Sequence, residues 1–150
     1  MSKVSIRNNL IIGLASWLNE QPLSGFQSRE RTRFVQKLVE RHNETENFRK
    51  ELIEKYSKKD EEGKQVKADD GESIVLENVE EFMKEAEDLY SDEFVLDMST
   101  ISFKTIKDIV LNTTYVFGPK ESDDEKEKIA KIRQANDYNA WCECFEEKVK

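Results

Sequence analysis

Apolar residues in this chain fall mostly three and four positions apart, the spacing of a helix with one buried face. Leu10, Ile11, Leu14, Trp17 and Leu18 predict a first helix, with Asn8 or Asn9 placed to cap it and Pro22 to end it. Leu23 to Gln27, with Gly25, reads as a loop. A second and longest helix is predicted from about Ser28 to Ser57, with Phe34, Leu38, Phe48, Leu52, Ile53 and Tyr56 as its stripe. Its middle, His42 to Asn47, offers no apolar anchor for more than a turn. Such a gap should be exposed, bent or packed on a polar groove.

Turn residues then take over. Asp60-Glu61-Glu62-Gly63-Lys64 and Asp69-Asp70-Gly71-Glu72 enclose Val66 and precede Ile74-Val75-Leu76, which predicts a small hairpin or extended excursion. Asn78 with Glu81 three residues on resembles a capping box, and Val79, Phe82, Met83, Ala86, Leu89 and Tyr90 follow as a third amphipathic helix. Phe94, Leu96 and Met98 alternate with Val95 and Asp97, the pattern of a half-buried strand whose natural partner is the segment Ile74 to Leu76. On this reading Phe82, Leu89, Phe94 and Leu96 are buried together.

Ser102 predicts the cap of a fourth helix with Phe103, Ile106, Ile109 and Val110 facing inward. Residues 112 to 117 fit either a fraying helix or a strand, and Gly118-Pro119 terminates them. Ser122 with Glu125 predicts the start of a last helix, striped by Ile129, Ile132, Ala135, Tyr138, Cys142, Phe145 and Val149. Trp141 lies off that stripe and is expected to widen the buried face. The expected fold is α+β, mainly α: about five amphipathic helices with a two- or three-stranded β element between residues 64 and 98. A single domain over 1–150 is expected, with a helix-hairpin-helix-strand core at 28–100 and a helical part at 101–150.

Charge changes the picture more than composition does. The net charge is −8, yet residues 60–100 hold three basic and fifteen acidic side chains, a balance of −12, while residues 28–59 hold ten and six, a balance of +4. A field of that kind steers a basic protein surface inward and disfavours direct contact with nucleic acid or an anionic membrane. No apolar run approaches a membrane span and no secretory signal pattern opens the chain. The two cysteines, Cys142 and Cys144, are spaced too closely for a good disulfide, which fits a reducing cytoplasm.

The tempting chemical sites do not assemble. His42 is the single histidine and has no second histidine or cysteine at helical spacing. Asp60, Glu62, Asp69, Asp70 and Glu72 miss the calcium-loop alternation, because Gly63 arrives early and Lys64 occupies a ligand position. Glu93 and Asp97 share the solvent face of a strand, and Cys142 and Cys144 point about 200° apart on a helix. The glycines form no phosphate cradle. No catalytic, cofactor or metal residues are therefore nominated.

Over residues 28 to 100, the Arg-rich helix start, Phe48-Arg49-Lys50-Glu51-Leu52, Tyr56 before Asp60-Glu61-Glu62-Gly63-Lys64, Phe82 to Leu89 and Phe94-Val95-Leu96-Asp97 resemble a group of small proteins of tailed bacteriophages. That group has no assigned activity to carry over to particular residues. Taken together with the missing catalytic machinery, the high charge and the amphipathic helices, the resemblance leads to the expectation of a non-enzymatic accessory protein in the cytoplasm of an infected bacterium, one that binds and modulates a host complex of defence or transcription. Joined with the charge pattern, it nominates Asp60, Glu61, Glu62, Asp69, Asp70, Asp92 and Glu93 as the surface meeting a basic, nucleic-acid-processing partner. A virion assembly protein forming homo-oligomers and a small-ligand sponge are the alternatives.

Overall fold

The computed structural model describes residues 3–146, in the order β1 (Lys3–Arg7), α1 (Asn8–Glu20), α2 (Gly25–Tyr56), α3 (Val79–Ser91), β2 (Glu93–Asp97), α4 (Phe103–Leu111) and α5 (Glu125–Phe145). The architecture is mainly helical with one small sheet, as the periodicity predicts. Packing divides it into two compact units, one formed by the chain up to His42 and from Glu93 on, the other by Asn43–Asp92. The division falls after His42 and before Glu93 rather than at residue 100. It coincides with the gap in the apolar stripe of α2, although the helix itself runs on through the gap and buries Thr45 there.

In the first unit the strand at 93–97 forms as expected, but its partner is not 74–76. β2 pairs antiparallel with β1, in the register Val4↔Leu96 and Ile6↔Phe94, so the sheet draws on a segment outside 64–98. Val4 and Ile6 are buried while Lys3 and Arg7 are exposed, the alternation of a half-buried strand. Only these two apolar residues mark β1, too few for periodicity to announce it.

α1 follows β1 directly. Arg7 stands at its N-cap without a side-chain bond, and Asn8 is not the expected cap: it is buried, and its Oδ1 accepts from Arg41 Nε at 2.9 Å. The basic start of α2 is occupied in the same way. Arg31 donates to the α1 terminal carbonyls of Leu18 and Gln21 at 3.1 and 2.7 Å, satisfying groups that a helix end leaves orphaned. Buried Glu30 accepts from Ser102 N at 2.8 Å and from Arg33 at 3.0 Å, tying α2 to the start of α4, where Ser102 caps as expected by accepting from Thr105 N.

The hydrophobic core gathers α1, the first part of α2, both strands, α4 and the end of α5. Its centre is aromatic: Trp17 lies 6.0 Å from Trp141 and 5.8 Å from Phe117, and Phe117 stacks on Tyr138 at 4.2 Å. Trp141 is buried as expected, with its Nε1 donating to Leu10 O. A Cβ on Gly13 would meet the Trp141 ring at 3.2 Å, so the approach of α5 to α1 depends on a residue without a side chain.

The predicted stripe of α5 needs correction. Ile129 and Ile132 are exposed, and burial concentrates in the C-terminal half at Trp141 and Phe145; Val149 lies outside the described residues. The cap is Asp124, which accepts from Glu127 N at 2.7 Å, in place of Ser122. Residues 112–117 are neither helix nor strand.

In the second unit, α3 buries no residue fully, and Asn78 precedes it with a left-handed φ of 50° and no side-chain cap bond, so the expected capping box is absent. Phe82 and Leu89 are half-buried there, whereas Leu96 is fully buried in the first unit with Phe94 packed against its core. The four do not form one cluster, because the strand that was expected to bring them together pairs with β1 instead.

Candidate functional site

The acidic stretch begins where α2 ends. Residues 57–77 run as three short antiparallel segments joined by isolated bridges, Ser57↔Leu76, Lys59↔Gln65 and Lys67↔Ile74. Each segment bonds to both others: Lys58 N donates to Val75 O at 2.8 Å, Val66 N to Lys58 O at 2.9 Å, and Val75 N to Val66 O at 3.0 Å. The triangle closes on itself and leaves no open edge at its middle.

Two of the nominated carboxylates build its turns. Asp60 Oδ1 accepts from the backbone N–H groups of Glu62 and Lys64, both at 2.9 Å, and Gly63 supplies the φ of +82° that this turn needs. Asp70 Oδ1 likewise accepts from Glu72 N and Ser73 N at 2.9 and 2.8 Å. The Ser73 hydroxyl adds a bond to Oδ2, and with the two N–H groups it holds the Asp70 carboxyl down at about 2.

The five nominated residues of the excursion divide between its two turns. Asp60, Glu61 and Glu62 sit on the turn next to Gln65, and Asp69 and Asp70 on the turn next to Lys67, at opposite ends of the middle segment, roughly 15 Å apart at the rise of an extended chain. Asp92 follows the last turn of α3 in the second unit, and Glu93 opens β2 in the first, where its carboxylate accepts from the Ser5 hydroxyl at 2.9 Å. Glu61, Glu62 and Asp69 remain as exposed charges on the turns.

A second feature of the same unit was not nominated. The end of α2 and α3 lie side by side and antiparallel: Tyr56 meets Phe82 edge-on at 5.9 Å, Lys55 Nζ pairs with Glu85 at 3.2 Å, and the charges of Glu46 and Arg49 act on Tyr90. Phe48, Leu52 and Leu89 form the floor of the groove between the two helices. Glu51, Asp88 and Asp92 stand along it, with Lys55 and Glu85 closing one end. Glu85 is held below the usual carboxylate range, first by the Tyr56 hydroxyl and then by Lys55. Phe48 is 52% exposed although it lies on the groove floor.

Positions 48, 51, 52 and 55 of α2 lie on one face of that helix, and 85, 88 and 89 on one face of α3, with Asp92 just past its end. That pattern was visible in the sequence. What it lacked was any sign that the two faces meet, because Phe48, Leu52 and Leu89 read equally well as ordinary core positions.

The unit also holds the net negative charge. Residues 43–92 carry seventeen acidic and eight basic side chains, a balance of −9, and the rest of the chain the remaining fifteen and sixteen, a balance of +1.

No family of proteins, curated protein or solved structure matches this chain.

Other chemistry-bearing residues do not converge. Among the described residues no group of three or more His, Cys, Asp and Glu side chains could hold a metal ion. No helix among them is long and apolar enough to cross a membrane. Burial pushes the thiols of Cys142 and Cys144 up, away from the reactive thiolate, and Cys144 Sγ bonds to Ala140 O within its own helix. Cys144 borders a hollow beside β1 whose charged walls, Lys3 and Arg7 against Glu93, Glu143 and Glu146, are of both signs.

Proposed function

We propose that this protein is a non-enzymatic binding module that captures a basic surface of a protein partner through residues 43–92. The observation that carries the reading is the segregation of charge: this unit has a balance of −9, while the remainder is close to neutral. A uniform surface charge would serve solubility alone, whereas a one-sided field orients and accelerates the approach of an oppositely charged partner. Of the cations in the first part of α2, Arg31, Arg33 and Arg41 bind carbonyls, Glu30 and Asn8 within the first unit. The resemblance to small tailed-phage proteins directs the search to host complexes that handle nucleic acid, whose binding grooves are basic.

The test is capture from host cells by the native protein and by a variant with Glu61, Glu62, Asp69 and Glu72 each changed to Lys. Asp60 and Asp70 stay in place because they build the turns. Native bait is expected to retain proteins with basic surfaces, and both the variant and rising salt are expected to release them. Retention that ignores both the reversals and the salt removes the reading.

A further inference from the structure

The second unit is short of core. Among large apolar side chains in residues 43–92, Tyr56 alone is buried; Leu52, Ile53, Val66, Ile74, Val75, Leu76, Phe82, Leu89 and Tyr90 are half-buried, and Phe48, Val79 and Met83 are exposed. Fifty residues in two helices and a short excursion ordinarily close over a common apolar centre. Here the two helices meet along one side and leave Phe48, Leu52 and Leu89 as the floor of an open groove of about 600 Å³. A partner that covered these three side chains would remove further apolar surface from water.

We infer that this groove is the seat of a basic amphipathic helix of the partner, which completes the unit as a third helix. The inference rests on the proposed capture of a basic surface and names the segment that is captured. The floor runs from Phe48 to Lys55, eight residues or roughly 10 Å of helix, which matches two turns of a ligand helix presenting apolar residues at i, i+3 or i+4, and i+7. Charge selects the flanks. Glu51, Asp88 and Asp92 line the groove, and its one cation, Lys55, is already paired with Glu85 at 3.2 Å. A helix with Lys or Arg beside its apolar stripe meets carboxylates on both walls, while an acidic helix meets repulsion. Phe48 fits the role of an anchor at one end of the floor, as a large aromatic ring 52% exposed before the partner arrives.

The experiment measures binding of three synthetic peptides to the full chain by fluorescence anisotropy: a helical peptide with a Leu stripe and Lys/Arg flanks, its scramble of identical composition, and the same stripe with Glu flanks. The first is expected to bind at least about tenfold more tightly than either of the others, with amide shifts confined to residues of α2 and α3 beyond His42. Phe48→Ser is expected to weaken it by about tenfold or more at unchanged circular dichroism, since more than half of the ring is already in solvent. A double variant, Glu51→Lys with Asp88→Lys, is expected to lose the preference for basic flanks. Equal binding of the helical and scrambled basic peptides overturns the groove and leaves the capture of basic surfaces standing. Binding of none of the three, with host capture intact, also overturns the groove. Self-association of the native chain that Phe48→Ser abolishes overturns it too, by making a second copy the occupant.

Discussion

Asp70 shows how a residue that looks like a contact can be part of the frame. It was nominated for its charge, and its carboxylate accepts three bonds from the turn it sits in, one from a hydroxyl and two from backbone N–H groups. Those bonds favour the ionised form and hold the group at about 2. A carboxyl depressed on folding adds to stability above its unfolded value and loses that addition as pH falls through the folded one. The 68–73 turn should therefore keep its order down to about pH 4 and lose it progressively toward pH 2. Titration of the Glu72 and Ser73 amide resonances is the check, and Asp70→Asn should remove their pH response in that window. Resonances that shift around the usual carboxylate range instead would show that the turn does not bind the charge. Glu61, Glu62, Asp69 and Glu72, whose carboxylates make no comparable turn bond, are exposed on this excursion.

At the level of elements, β2 carries the clearest lesson. Its alternation was legible, and Leu96 is fully buried as that alternation requires, yet the strand that pairs with it is the short Val4–Ile6 stretch near the start of the chain. α3 is the converse case. Its stripe was as clean as any in the sequence, but no residue on it is fully buried. Leu96→Ala should accordingly cost about 2–5 kcal/mol, the range for a large side chain removed from a filled core. Phe82→Ala, at a half-buried site, should cost roughly half as much or less. Chemical denaturation of the two variants compares them directly, and equal losses would mean that α3 packs as tightly as the sheet.

For the molecule as a whole, packing is divided unequally. All eighteen residues of the main core cluster lie in the first unit, and the second buries Tyr56 as its one large apolar side chain. Regions with few buried apolar contacts open locally at lower free energy than the fold as a whole. Amide exchange is expected to be slowest in α1 and the buried end of α5, and faster by orders of magnitude across 57–77 and α3. Uniform protection over both units would contradict the division. Occupation of the α2/α3 groove should slow exchange in the second unit alone.

The sequence by itself determined the helices, β2 and the placement of charge. Helical spacing, Pro22, Ser102 and the two glycine turns act within a few residues, and so they could be read locally; the excess of carboxylates after residue 60 needs only counting. The meeting of elements was decided by tertiary structure. Val4 and Ile6 become a strand because Phe94 and Leu96 lie opposite them, and Gly13 matters because Trp141 arrives from the far end of the chain. Phe48, Leu52 and Leu89 become the floor of a groove because α3 covers only one side of α2. Periodicity reports that a face is apolar, and a face of that kind reads the same whether the chain covers it or leaves it for another molecule.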